Sequence, residues 1–226
     1  MKLPVVCSDA RMIYWACGPG VDGKEASTLF RTLRTMSRVG IFGGTFDPIH
    51  VGHLVVAAWV RAELGLNRVE LVVANEPWQK LGRPRLSPAQ DRLAMAEAAV
   101  DGIDGVVASA AEIDRGGLTY TVDTLEQYRA DDPDSSLFLI LGSDAAGGLA
   151  TWHRYEEMAE MAEVVVVDRP GATGERPPVA HRVVDCPLVD LSSTQVREWA
   201  DAGRPLDGLV PPAALAYCRQ AGLYGR

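Results

Sequence analysis

Two histidines three residues apart, His50 and His53, flank Gly52 at the end of the run Gly43-Gly44-Thr45-Phe46-Asp47-Pro48-Ile49-His50-Val51-Gly52-His53. Glycines let a backbone approach an anion closely, and a helix opening just after them offers unpaired N–H groups and a favourable dipole. If that helix begins near His50, positions i and i+3 share a face. Both imidazoles then reach one phosphate group, with Gly52 leaving space for the ligand. The run is neither G-x-G-x-x-G nor the G-x-x-x-x-G-K-[ST] of a P-loop. Histidines could also bind metal, but the chain has 4 in all, and no Asp, Glu or Cys cluster at helical spacing supplies a third ligand. The chemistry expected of the segment is therefore phosphate handling, without a protein-held metal.

The elements that must position this run alternate strand and helix. Val39-Gly40-Ile41-Phe42 reads as a strand, followed by the glycine-rich loop and a run, Leu54 to Val60, that is apolar on every side. Such a run suits a helix buried against a sheet, and Gly65 ends it. Val69 to Val73 is a second strand. Ser87-Pro88-Ala89-Gln90 predicts a helix with Ser87 as N-cap, Pro88 at its first position and Gln90 completing a capping box, continuing through Ala99. Val106 to Ala108, Leu137 to Leu141 and the β-branched Val164 to Val167 are further strands. Helices are predicted over Thr121–Arg129 and Tyr155–Met161, from a Ser192 or Ser193 cap to Ala202, and from Pro212 to Gly222. Strands too apolar for one wet face, in βαβα order, predict an α/β, Rossmann-like doubly wound parallel sheet covered by helices on both faces, with a small C-terminal helical part over 191–226. Ligands of such sheets sit beyond the carboxyl ends of strands, which directs attention to the loops after Phe42, Val73, Leu141 and Val167.

Residues 1–37 have no sustained period of either kind. They are expected to be an N-terminal extension, disordered or the product of an upstream start chosen in place of Met36, ahead of a domain over 38–226. Of the 226 residues 47% are hydrophobic and 23% charged, which supports one globular core. The net charge of −8, from 30 acidic and 22 basic residues, lacks the basic excess of a nucleic-acid or anionic-membrane surface. No apolar run approaches a membrane span and no secretory leader is legible, so a cytoplasmic protein is expected. The four cysteines show no paired spacing and are expected to be free thiols. A homo-oligomer is left open.

GGTFDPIHVGHL resembles the H-x-G-H signature of the nucleotidyltransferase superfamily, and in wording it is similar to nicotinate-mononucleotide adenylyltransferases. Leu191-Ser192-Ser193-Thr194-Gln195-Val196-Arg197 resembles the superfamily's second signature. The resemblance spans roughly 39–226. It implies adenylyl transfer from ATP to nicotinate mononucleotide, giving nicotinate adenine dinucleotide and pyrophosphate, with Mg²⁺ arriving on the ATP. It further implies that His50 and His53 contact the ATP phosphates and that Arg197, with Ser193 and Thr194, holds the departing β- and γ-phosphates. Gly43, Gly44, Thr45, Phe46 and Gly52 would line the ATP side, and Thr45 the junction with the acceptor.

Other stretches carry the acceptor part of the likeness. Gly117 to Leu125 resembles the family's P-S-Y-T-x-D-T-L stretch, which puts the Thr121 backbone N–H against the pyridine carboxylate. Leu141-Gly142-Ser143-Asp144 matches a G-x-D strand end, so Gly142 and Asp144 are expected at the nucleotide, Asp144 meeting ribose hydroxyls. Trp152 matches the ring-stacking aromatic, His153 stands beside it, and Asp168-Arg169-Pro170-Gly171 matches an R-P-G turn. Lys80 is expected near the acceptor phosphate, in a Pro77-Trp78-Gln79-Lys80 loop that departs from the usual Pro-Pro-His-Lys and is similar to the actinobacterial branch. The alternatives are transfer to nicotinamide mononucleotide or phosphopantetheine, and a non-catalytic nucleotide-binding module. A dinucleotide-dependent oxidoreductase is disfavoured by the missing G-x-G-x-x-G.

Overall fold

A computed structural model of the chain describes residues 36–78, 86–168, 176–187 and 189–224. The predicted extension therefore lies almost wholly outside the described residues, as do Lys80 and Arg169. The elements run β1 (Arg38–Gly44), α1 (Val51–Leu64), β2 (Arg68–Val73), β3 (Glu76–Pro77), α2 (Ala89–Val100), β4 (Val106–Ser109), α3 (Ala111–Arg115), β5 (Leu118–Thr119), α4 (Thr121–Asp131), β6 (Ser136–Gly142), α5 (Ser143–Gly147), α6 (Tyr155–Met161), β7 (Glu163–Asp168), β8 (His181–Asp185), α7 (Ser193–Asp201) and α8 (Pro212–Ala221).

Six strands form one sheet in the order β4-β2-β1-β6-β7-β8, every pair parallel. The chain winds outward from β1 through β2 to β4, then returns to the far side of β1 and winds the other way through β6, β7 and β8. The reversal falls between β1 and β6. There the carboxyl ends of adjacent strands lead into loops that part to opposite sides, opening a crevice. A short parallel pair, β3 with β5, stands apart.

Strand periodicity divides the core into two layers. Along β6, Phe138 and Ile140 join a cluster with Val60 of α1, Met95 of α2, Val196 of α7 and Leu215 of α8. Leu137, Leu139 and Leu141 point the other way, into a cluster with Val122 and Leu125 of α4 and Met158 of α6. Successive side chains of a strand face opposite sides, so a strand buried on both sides must be apolar at every position. The expected helix-covered parallel sheet is found. Helix α1 departs from its expected all-round burial. It lies on the outer layer with one face to solvent, and Trp59 is 43% exposed, its indole N–H donating to the Asp185 carbonyl at 2.9 Å.

Helix α2 also departs from expectation. It begins at Ala89 with Pro88 in the cap position and no side-chain cap. Ser87 is occupied elsewhere: its hydroxyl pairs with the Tyr224 hydroxyl at 2.8 Å and its N–H points to Asp47 Oδ2 at 3.4 Å. Its carbonyl accepts from Nε of Arg92 at 2.9 Å. Arg92 is 1% exposed and occupies the apolar face of α2 with Met95, Ala96 and Ala99. Its Nη1 donates to the Thr45 carbonyl at 2.9 Å and the Ala74 carbonyl at 2.6 Å, and Nη2 to the Asn75 carbonyl at 2.9 Å. Burial lowers its pKa, and the charge of buried Asp47 opposes that shift. The Asp47 carboxylate in turn accepts from the Tyr224 hydroxyl near the chain's end. One guanidinium thus ties the loop after β1 to the loop after β2, to Ser87 and, through Asp47, to the C-terminal segment.

Replacing Arg92 with Met should cost about 3–5 kcal/mol of stability, because four carbonyls lose their partner together and the buried Asp47 carboxylate loses a nearby positive charge. Urea unfolding followed by circular dichroism measures this. Arg92→Lys should recover only part of the loss, since an ammonium keeps the charge but not the planar fork.

Candidate active site

The crevice at the winding reversal holds a cavity of about 290 Å³. Its walls come from the loop after β1 (Gly43, Gly44, Phe46, His50, Gly52, His53), the end of β6 (Gly142, Asp144), the end of β7 (Asp168) and the start of α7 (Ser192, Ser193). His50 is the N-cap residue of α1, with extended backbone (φ −141°, ψ 168°). Its N–H donates to Nδ1 of His53 at 3.2 Å, and the His53 N–H donates back to the His50 carbonyl at 3.0 Å. The two rings stack, 3.7 Å between centroids and 27° between planes. Because Nδ1 of His53 accepts, the proton of the neutral ring resides on Nε2. A fixed N–H donor at the helix start is the group needed beside a phosphate oxygen.

Packing holds the pair in place. The Phe46 ring meets the His53 ring edge-on at 5.0 Å and 82°. Phe46 itself sits at φ 50°, a region few side chains adopt, and is 2% exposed. A Cβ on Gly44 would lie 2.7 Å from the Phe46 ring, so Gly44 is needed for that ring to fit. A Cβ on Gly52 would lie 3.0 Å from Nδ1 of His50 and 3.5 Å from Val189. The space Gly52 keeps open is thus in the first place the seat of the His50 ring.

The second signature approaches from the other side. Ser192 caps α7, its hydroxyl accepting from the Gln195 N–H at 3.2 Å while Gln195 Oε1 accepts from the Ser192 N–H at 2.8 Å. The Ser193 hydroxyl donates to the Pro48 carbonyl at 2.9 Å. Arg197 Nη1 donates to the Asp47 carbonyl at 2.5 Å, and its Nη2 to the Thr194 hydroxyl at 3.1 Å. The start of α7 is fastened to the loop that carries the histidines. Capping and an open helix N-terminus coexist here, as the sequence allows.

A second cavity of about 110 Å³ adjoins the first across Gly43 and Gly44, which line both. Thr45, Pro77, Trp78, Glu112, Thr119, Thr121, Thr124 and Trp152 surround it. It is aromatic on two sides and rich in hydroxyls, with the N-terminus of α4 at Thr121. His153 is not among its described lining residues; its ring lies against Tyr120 with centroids 4.8 Å apart.

Residues 41–199 match the cytidylyltransferase-like family model. A protein of Saccharopolyspora erythraea named probable nicotinate-nucleotide adenylyltransferase is 43% identical over 190 residues, covering 83% of this chain and 89% of its own. One of the same name in Corynebacterium glutamicum is 40% identical, covering 85% and 91%. The chain belongs to the cytidylyltransferase-like family, in its nicotinate-nucleotide adenylyltransferase branch. Among solved structures, Plasmodium falciparum nicotinic acid mononucleotide adenylyltransferase complexed with NaAD superposes with a TM-score of 0.70 at 17% identity, covering 83% of this chain and 97% of that one. That likeness speaks for the fold.

Within this branch of the family, the structure gathers most residues that the sequence singled out. Gly43, Gly44, Phe46, His50, Gly52, His53, Gly142, Asp144 and Ser193 line the first cavity, and Thr45, Thr121 and Trp152 the second. Thr194 and Arg197 are not among the first cavity's described lining residues; Arg197 braces the loop through the Asp47 carbonyl and also holds the Thr194 hydroxyl. Sequence reasoning missed Arg92, Tyr224, Glu112 and the lining by Asp168, whose carboxylate is held by Arg176 through contacts of 2.9 and 2.6 Å. Arg92 had a signal: an arginine on the stripe shared by Met95, Ala96 and Ala99. Among the described residues no group of three metal-ligating side chains is assembled. Cys186 and Cys218 are buried free thiols, and burial raises the pKa of both.

Gly52→Ala tests the packing of the histidine pair. Alanine improves helix propensity by about 1 kcal/mol, so the melting temperature should hold or rise. The displaced His50 ring should nevertheless lower kcat by about tenfold or more, since small misplacements at a reacting centre are costly. Differential scanning fluorimetry and steady-state kinetics on one preparation separate the two effects.

Proposed function

We propose that this chain transfers the adenylyl group of ATP to nicotinate mononucleotide, forming nicotinate adenine dinucleotide and pyrophosphate. The observation that carries this reading is the fixed His50–His53 pair at the helix start in the first cavity, next to an aromatic, hydroxyl-rich pocket that shares, among the described residues, Gly43 and Gly44 with it. ATP with its triphosphate fits the first space and a pyridine nucleotide the second, so their phosphates meet at the shared glycines. Relatives about 40% identical carry the corresponding name.

A phosphate oxygen of the acceptor attacks the α-phosphorus of ATP in line. The new P–O bond forms as the bond to the β-phosphate bridging oxygen breaks, and pyrophosphate leaves with that electron pair. A phosphate monoester is largely ionised near neutral pH, so no strong general base is required. The residues work by positioning and by meeting charge on non-bridging oxygens. Nε2–H of His53 serves the α-phosphoryl group and His50 the neighbouring phosphates. The N-terminus of α7 at Ser193 and Thr194, with Arg197, serves the departing pyrophosphate. Mg²⁺ travels on ATP, keeping water and phosphate ligands, and supplies charge neutralisation there. On the acceptor side, the Thr121 N–H meets the ring carboxylate and Trp152 stacks on the ring, with His153 as a further contact. Asp144 meets ribose hydroxyls.

Pyrophosphate release with ATP, Mg²⁺ and each of nicotinate mononucleotide, nicotinamide mononucleotide and phosphopantetheine is expected to be fastest with the first. Fastest turnover with phosphopantetheine would overturn the acceptor, and none with any of the three would overturn the enzyme. His53→Ala should lower kcat by about a hundredfold or more while the protein remains folded. We also propose that residues 38–226 suffice for activity. A protein begun at Met36 should match the full chain in kcat and melting temperature.

A further inference from the structure

Glu112 is the ionisable side chain among the described residues that line the acceptor pocket, and it is 4% exposed. A buried acid is an unexpected wall for a pocket meant to receive an anionic ring. One of its oxygens is met by a hydroxyl: the Thr124 hydroxyl donates to Oε1 at 2.6 Å. That hydroxyl oxygen already accepts from Arg115 Nη2 at 3.0 Å.

This wiring has a consequence. A hydroxyl has one proton. While Glu112 is ionised, the proton of Thr124 is committed to it, and the pocket wall offers a bound molecule lone pairs and a negative charge. When Glu112 is protonated, it can donate to the Thr124 oxygen and free that hydroxyl's proton, and the charge is gone. The first state opposes a ring carboxylate and tolerates a carboxamide, whose NH₂ can donate. The second accepts a carboxylate.

We propose that Glu112 is a specificity-determining residue of the acceptor pocket: protonated it favours the anionic nicotinate ring, and ionised it shifts preference towards the neutral nicotinamide ring. This rests on the pyridine-nucleotide reading above. Burial is the main influence that raises the Glu112 pKa. The Thr124 hydrogen bond, the charge of Arg115 on its own helix and the nearby Thr119 hydroxyl pull it down, and Asp123 on α4 pushes it up. Arg92 on α2 is the further charged group that feels it.

The test is the ratio of kcat/KM for nicotinate mononucleotide to that for nicotinamide mononucleotide, followed as pH rises across the whole range in which the protein stays folded, in the wild type and in Glu112→Gln. Both acceptors carry the same phosphate, so its titration cancels in the ratio. The wild-type ratio should fall by about threefold or more as pH rises, because ionisation adds a like charge beside the carboxylate. In Glu112→Gln the ratio should be flat. A flat wild-type ratio overturns the proposal, and this result needs no variant. A slope that survives in Glu112→Gln also overturns it, assigning the effect to another group such as His153 beside Tyr120.

The melting temperature supplies a readout that does not depend on turnover. A carboxyl whose pKa is raised on folding contributes stability below its unfolded pKa and loses it as pH climbs through the folded value. The wild type should therefore lose ground to Glu112→Gln over that rise. An unchanging gap counts against the titration. If neither mononucleotide is turned over at any pH, the acceptor reading itself fails and this inference falls with it.

Discussion

The site depends on a charge that never meets the substrate. Arg92 lies in the core with its guanidinium spent on the carbonyls of Thr45, Ala74, Asn75 and Ser87. Thr45 follows β1, Ala74 and Asn75 follow β2, and Ser87 precedes α2, and no run of regular secondary structure joins these three places. Loops of this kind expose carbonyl groups that a core cannot leave unpaired. A planar donor with five N–H groups satisfies several at once where water would otherwise have to enter. The cost of burying the cation is offset by Asp47, and Asp47 is itself held by the Tyr224 hydroxyl and the Ser87 N–H. The loop after β1 can therefore carry a residue at positive φ, Phe46, and still present two stacked imidazoles at a defined place.

Sheet topology does the rest of the positioning. Parallel strands all end on the same side, and the winding reversal between β1 and β6 leaves the one crevice into which loops from both directions open. The first signature enters from β1. The second comes from about 150 residues later and reaches the same crevice because α7 packs on the same face of the sheet as α1 and α2. The Ser193 to Pro48 and Arg197 to Asp47 contacts then join them through backbone carbonyls. Residues of both signatures line one cavity, and the fold brings them there.

The parts of this that were legible in the sequence are those governed by local pattern. The strands at 39–42, 69–73, 137–141 and 164–167 are runs too apolar for anything but a two-faced core, and the helices at Thr121, Tyr155, Ser192 and Pro212 begin where their polar starts and prolines put them. The short pair β3 and β5 and the edge strand β8 were not legible. Two residues make no period, and β8 is half-buried at His181 and exposed at Arg182, Val183 and Asp185, which breaks the apolar run. Ser87 shows how local chemistry is overridden: a good capping sequence was diverted because Asp47, Tyr224 and Arg92 offered its polar groups partners distant in the chain. Glu112 belongs to the same class. Its neighbours Thr119 and Thr124 are near in sequence, but its burial is a tertiary fact that no spacing encodes.

The division of labour among the charged groups follows from the reaction. Adenylyl transfer between phosphates needs little proton transfer and much charge placed in advance, so the useful property of a cation here is immobility. Arg92 provides it indirectly, by fixing backbone. Arg197 is intermediate: two of its N–H groups brace the Asp47 carbonyl and Thr194, which aligns the plane of the guanidinium before any ligand arrives. A side chain already ordered in this way loses less entropy on meeting a phosphate than a free one would. The same contacts make the loop with His50 and His53 feel any movement of Arg197. The start of α7 and the loop that carries His50 and His53 are thereby linked through two carbonyls, those of Asp47 and Pro48.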